Sequence, residues 1–185
     1  MLMSVELQNI WATEGARKVA PAEGEHFDVT GAHLTWKVKA EDSGYAFSVC
    51  EQTLAHGEGV PLHSHSSPEA FYILEGRADF FRVVDGKEDW ITCETGSTMI
   101  LPPNCLHAFY NRASEPCRLL GISTQLHQTF FDAVASADHK EPFSTLPLSE
   151  AMTRIARIGL KHNMYFAPYD LNNSAKVVQE NANRI

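Results

Sequence analysis

Gly57-Glu58-Gly59-Val60-Pro61-Leu62-His63-Ser64-His65-Ser66-Ser67-Pro68-Glu69-Ala70-Phe71-Tyr72-Ile73-Leu74-Glu75-Gly76 carries the pattern from which the rest of the chain can be read. Side chains of an extended segment alternate between two faces, so residues two apart point the same way. His63 and His65 therefore share a face. Glu69 lies an even number of residues further on and joins them if the turn from Ser66 to Pro68 preserves the alternation. Phe71 and Ile73 share its parity and would line the same interior, whereas Tyr72 would face outward.

Short β segments separated by turn residues surround this stretch. They are Ala32 to Lys39, Tyr45 to Thr53, Glu69 to Leu74, Arg77 to Val84, Lys87 to Thr92, Ser97 to Leu101, His107 to Asn111 and Cys117 to Ser123. Asp85-Gly86 is a hairpin turn signal. Many short strands at such spacing predict an all-β sandwich or barrel. After Gln125 the period changes. His127, Phe130, Phe131 and Val134 recur at helical spacing, as do Met152, Ile155, Ala156, Gly159 and Leu160, with Ser149 as the expected N-cap. The expected organisation is an N-terminal arm and barrel over residues 1–125. Two short helices and a polar tail over residues 126–185 would pack on it.

An interior holding two imidazoles and a carboxylate needs a reason, because an unpaired buried carboxylate is costly. A divalent cation removes that cost by accepting a lone pair from each group. Imidazole and carboxylate donors without thiolate suit Fe, Mn, Ni, Co or Zn, and the set alone does not choose among them. A His-x-His pair by itself reads more simply as a surface or loop feature. The register of Glu69 and a downstream histidine shift the reading to a metal site. That histidine is His107, in Gly96-Ser-Thr-Met-Ile-Leu-Pro102-Pro-Asn104-Cys-Leu-His107-Ala-Phe-Tyr-Asn111. A strand ends at Pro102, and the turn runs through Asn104, a residue type that tolerates left-handed φ.

Gly57-x5-His63-x-His65-x3-Glu69-x6-Gly76, followed by Gly96-x5-Pro102, His107 and Asn111, resembles the two-part motif of the cupin superfamily. Asn104 stands where the family has a turn glycine, a conservative change for the backbone. The resemblance implies a small antiparallel jelly-roll β-barrel with one metal ion held by His63, His65, Glu69 and His107. Two positions on the ion would stay open for water, substrate or O₂. One copy of each half-motif implies a single-domain cupin, and such domains commonly form homodimers through their sheets.

The Glu69-to-Gly76 strand, the Pro102-to-Phe109 segment and Thr129-Phe130-Phe131 after the last strand also resemble bacterial quercetinase-type cupin dioxygenases. That likeness implies a dioxygenase acting on a small aromatic, flavonol- or catechol-like substrate. Glu69 would be the base that takes the substrate hydroxyl proton, its basicity raised by burial. Phe71, Ile73 and Phe109 would wall an apolar substrate pocket, although ordinary barrel packing explains them equally. A second reading keeps the metal but uses it for isomerisation, decarboxylation or lyase chemistry, with Glu69 or one of Tyr45, Tyr72 and Tyr110 as acid or base. A third is a non-catalytic sensory or ligand-binding cupin.

The 185-residue chain carries 15 Lys+Arg against 23 Asp+Glu, a formal net charge of −8, with 44% hydrophobic residues. This excludes a disordered or collagen-like chain. It also disfavours nucleic acid and anionic membrane surfaces, leaving a small molecule as the expected partner. No signal-like N-terminal segment and no membrane-length apolar run is seen, so a cytoplasmic location is expected, with Cys50, Cys93, Cys105 and Cys117 as reduced thiols. His26, His33, His56, His127, His139 and His162 lie outside the motifs and are expected at the surface or as caps. Either Glu51 or Gln52 points inward. Trp11, Trp36 and Trp90 are expected in packing or interfaces.

Overall fold

A computed structural model describes residues 15–30 and 32–168. Trp11 and the polar stretch after Pro168 lie outside the described residues. In chain order the elements are β1 (Glu25–Val29), β2 (Ala32–Val38), β3 (Ser48–Leu54), β4 (Gly59–His65), β5 (Glu69–Glu75), β6 (Arg77–Val84), β7 (Lys87–Glu94), β8 (Thr98–Leu101), β9 (His107–Tyr110), β10 (Cys117–Ser123), α1 (Gln125–Lys140), α2 (Leu148–Lys161) and β11 (Met164–Phe166). Short 3₁₀ turns occupy Ala40–Ser43 and Phe143–Thr145. The strands form a six-stranded sheet in the order β1-β2-β3-β10-β5-β8 and a five-stranded sheet in the order β11-β4-β9-β6-β7. The paired strands run antiparallel, giving the expected small jelly-roll β-barrel.

Alternation decides what faces inward. Along β5, Glu69, Phe71 and Ile73 are buried, while Tyr72 is 40% exposed. On β3, Gln52 is the inward residue of the Glu51-Gln52 pair. The interior divides into three apolar clusters, the smallest of them Phe81, Ala108 and Tyr110. Of the two larger, one fills the barrel with Phe71, Ile73, Phe80, Phe109 and Leu119. The other joins Phe27, Leu34 and Trp36 of β1 and β2 to Phe130, Val134 and Ile155 of the helices. The helices thus close one end of the barrel.

Turns follow their residue types. Asp85 and Gly86 both adopt positive φ (51° and 73°), and Val84 pairs with Lys87, as a tight hairpin requires. Asn104 takes φ 64°, and its N–H donates to the His65 carbonyl at 2.7 Å, fastening this turn to β4. At Gly59 a Cβ would lie 2.0 Å from the Phe109 carbonyl oxygen, so only glycine lets β4 and β9 approach this closely.

The structure corrects several sequence expectations. The strand expected from Tyr45 starts at Ser48, because Gly44 and Tyr45 turn the chain left-handed (φ 63° and 67°). α2 starts at Leu148, with the Pro147 carbonyl accepting from the N–H groups of Glu150 and Ala151. Ser149 is therefore inside the first turn rather than capping it. β1 and β11 are additional, and β11 returns after α2 to pair with β4, Met164 opposite His65 and Phe166 opposite His63.

Asn111 closes the structure around the motif. Its side chain donates to the carbonyls of Leu54 (2.9 Å) and Glu115 (2.8 Å) and accepts from Ala113 N–H (2.9 Å), and it is fully buried. Its backbone exchanges hydrogen bonds with Gly57 and Glu58. Asn111→Ala strands these buried groups, and a loss of about 3 kcal/mol in stability is expected. A urea-unfolding midpoint equal to that of the parent chain would contradict this.

Candidate metal centre

His63 and His65 end β4, His107 opens β9, and Glu69 opens β5. β4 and β9 are neighbours, with His63 and His107 directly paired, while β5 belongs to the facing sheet. All four side chains are buried. Each imidazole is locked by a hydrogen bond from Nδ1: His63 to the Pro61 carbonyl (2.8 Å), His65 to the Ser67 carbonyl (2.7 Å) and His107 to the Cys105 carbonyl (2.8 Å). A carbonyl oxygen only accepts, so Nδ1 carries the proton in all three rings. Nε2 is left with its lone pair unless a second proton binds there. The rings crowd together, with centroids of His63 and His107 4.1 Å apart and those of His65 and His107 5.0 Å apart.

Glu69 meets this cluster through one oxygen. Its Oε2 is 3.3 Å from His65 Nε2 and 3.7 Å from His107 Nε2. Its Oε1 turns to a residue expected at the surface: His127 of α1, whose Nδ1 is 3.3 Å away. His127 is buried. The correction has a simple cause, since His127 precedes Phe130, Phe131 and Val134 on the helical stripe that packs on the barrel. The helical spacing itself was the signal. Its ring lies against His65 (4.9 Å between centroids) and edge-on to Phe131 (5.1 Å).

These groups could hold a metal ion. The donor atoms of His63, His65 and His107 lie within 4.8 Å of one another, as do those of His65, Glu69 and His127. Two observations fit a cation. His107 Nε2 is buried without a hydrogen-bond partner, a state shared among the described residues only by Thr124 Oγ1. His65 Nε2 and Glu69 Oε2 are both acceptors in their ordinary charge states, so a proton or a cation must mediate their contact.

The electrostatics agree. Burial pushes the Glu69 carboxyl up, but His127, His107 and His65 outweigh it and hold the group below the ordinary carboxylate range. The expectation that burial makes Glu69 more basic is therefore corrected: three imidazoles around it win. Burial lowers His65, yet the hydrogen bond and charge of Glu69 overcome this and raise it. Burial, helped by His107 and His65, takes His63 well below its ordinary value. Burial also lowers His127 to about 4, against the pull of Glu69.

An apolar cavity of about 90 Å³ lies where the two larger core clusters meet, with His63 and His127 in its wall beside Phe71, Phe109, Phe130 and Phe131. Of the three residues expected to wall a substrate pocket, Phe71 and Phe109 line this cavity. Ile73 does not line it and packs within the barrel cluster, two residues further along β5. Gln52 also lines the cavity, and its amide contacts Cys50 Sγ (3.8 Å) rather than a histidine. Phe166 of β11 stacks on His63, with centroids 5.5 Å apart. His56, by contrast, caps the Ala113 carbonyl at the surface. The cysteines are free, and burial pushes Cys50 up to about 12 and Cys117 to about 11. Neither is a ready nucleophile.

The cupin domain family matches residues 50–123. Among solved structures, the polyketide cyclase RemF from Streptomyces resistomycificus is 19% identical, with a TM-score of 0.51 over 60% of this chain and 80% of its own. A Thermotoga maritima protein described as a predicted oxalate decarboxylase is 20% identical, with a TM-score of 0.51 over 58% of this chain and 98% of its own. No curated protein sequence is a significant match. At these identities the likeness extends to the fold and not to a reaction. Together with the matched segment, it supports the cupin superfamily. Among the described residues no helix is long and apolar enough to cross a membrane.

The raised His65 has a consequence that can be measured. The proton it holds below its shifted pKa occupies the lone pair that a metal would use. Titrating Co(II) into chelator-treated protein should therefore release protons, and apparent affinity should rise with pH until that proton is gone, by up to about tenfold per pH unit. An affinity independent of pH between 6 and 8 would show that no imidazole proton competes.

Proposed function

We propose that this cupin-type barrel is a metal-dependent enzyme, a dioxygenase acting on a small aromatic substrate of the catechol type. His63, His65, Glu69 and His107 would hold one divalent transition metal ion. The observation that carries the reading is the convergence of three Nδ1-locked imidazoles and one carboxylate, one of the imidazoles, His63, standing in the wall of an aromatic-lined cavity. When bound, the ion supplies Lewis acidity and, if redox-active, one-electron chemistry.

The chain's own residues do the rest. Phe71, Phe109, Phe130 and Phe131 offer ring faces and edges to a flat apolar group and exclude water from the centre. Cavity size narrows the substrate. Drug-sized ligands occupy roughly 300–1,000 Å³. A cavity of about 90 Å³ takes a single small ring, and a three-ring flavonol would require the helices to move. The catechol half of the expected range is therefore favoured. Glu69 is the carboxylate of the cluster, and we assign it acceptance of the substrate hydroxyl proton. Its low proton affinity makes that transfer favourable only for a hydroxyl acidified at the same centre.

Non-oxidative isomerase, decarboxylase or lyase chemistry is the competing reading, because the same donor set serves it. Oxygen uptake by protein loaded with Fe(II), Mn(II), Ni(II) or Co(II), measured against a panel of catechols, separates the two. Uptake matched to substrate loss is expected, and turnover of equal rate under nitrogen would overturn the dioxygenase assignment. Glu69→Ala should lower turnover by at least about 100-fold and weaken metal retention, and His63→Ala should lose more metal still. Unchanged metal content in both variants would remove the centre from these residues.

A further inference from the structure

We propose that His127 is a positioning residue for Glu69, brought to the centre by α1, that fixes the carboxylate with one oxygen toward the motif histidines and the other engaged outside them. This rests on the metal reading above, since it concerns how Glu69 is presented to an ion. The two carboxylate oxygens face different partners. Oε2 looks at His65 and His107 (3.3 and 3.7 Å), and Oε1 looks at His127 Nδ1 (3.3 Å). A free carboxylate can turn about its last torsion and offer both oxygens to one cation. Nδ1 lies at ion-pair distance from Oε1, and with its proton on Nδ1 the ring would hold that oxygen and leave a single donor atom for an ion.

His127 is held firmly enough for this task. The next residue, Gln128, is fully buried, and its Oε1 accepts the Ala40 N–H at 2.6 Å. Phe131 packs edge-on against Phe27 (5.1 Å) and Trp36 (5.8 Å), anchoring the same turn of helix on the six-stranded sheet. The motif residues all come from 57–111, but the carboxylate they include is oriented from 127, outside the segment matched to the cupin domain. The centre is then complete only when α1 is docked. Metal occupancy and docking of the helix must reinforce each other by the same factor.

The test uses Co(II), whose visible absorption reports coordination number. His127→Phe keeps the ring and its packing and removes the N–H; His127→Leu replaces it if the Phe chain does not fold. His127→Asn restores an N–H donor at the place of Nδ1. Removing the donor should weaken Co(II) binding about 10–100-fold and shift the absorption toward higher coordination, and Asn should recover both in large part. In a Glu69→Gln background the same His127 substitution should have no further effect. A Phe or Leu variant with the parent's affinity and spectrum would overturn the proposal. So would failure of Asn to recover them, which would make His127 a direct ligand. If the parent chain itself binds no Co(II), the metal reading fails first.

Discussion

An imidazole that donates from Nδ1 to a carbonyl oxygen has its tautomer and its orientation fixed at once, and three such bonds set the geometry of this protein's centre. Pro61, Ser67 and Cys105 each lie two residues from the histidine they hold, so strand ends and turns supply the acceptors locally. The cost is plain. Nε2 lone pairs are gathered beside a carboxylate in a buried site, where acceptor faces acceptor. Glu69 raises the proton affinity of His65, and His107 Nε2 has no hydrogen-bond partner. A folded arrangement that gathers acceptors without donors is one that a cation stabilises. On the proposed reading, metal binding would be linked to folding.

Much of this was legible in the sequence because the side-chain period of a strand is two. Parity alone puts His63 with His65, and Glu69 with Phe71 and Ile73, and it turns Tyr72 outward. The structure places all of these accordingly. The Asp85-Gly86 hairpin and the left-handed Asn104 were readable for a related reason, since few residue types tolerate positive φ. What parity does not give is depth along a strand. Phe71 and Ile73 share a face, yet only Phe71 reaches the cavity.

The residues that escaped lie where local pattern meets tertiary packing. β11 is three residues long, too short to carry a period, and it exists because β4 offers an edge after α2 has turned the chain back. His127 is the more instructive case. Its helical stripe was visible, but a histidine on an apolar face reads as surface unless one knows what the face packs against. The basicity of Glu69 was misjudged for the same reason. Burial raises a carboxyl, but which positive or polar neighbours share the burial is a fact of the three-dimensional arrangement.

The division of labour between barrel and cap bears on chemistry as well as stability. The donors stand on β4, β5 and β9 of the barrel itself, and donors alone do not select a reaction. Selection falls to what closes the open end. Here that is a wall of Phe130, Phe131 and Phe166 with one histidine set into it, all from residues beyond the last barrel strand β10. The apolar volume bounded by this cap, about 90 Å³, has room for little beyond one ring. If His127 positions Glu69 as proposed, changes to α1 would alter cavity size and the orientation of Glu69 together, because α1 carries both His127 and the Phe130-Phe131 part of the wall. On the reading proposed above, substrate choice and metal geometry would not be independent variables, and a substitution on the buried face of α1 should move one whenever it moves the other.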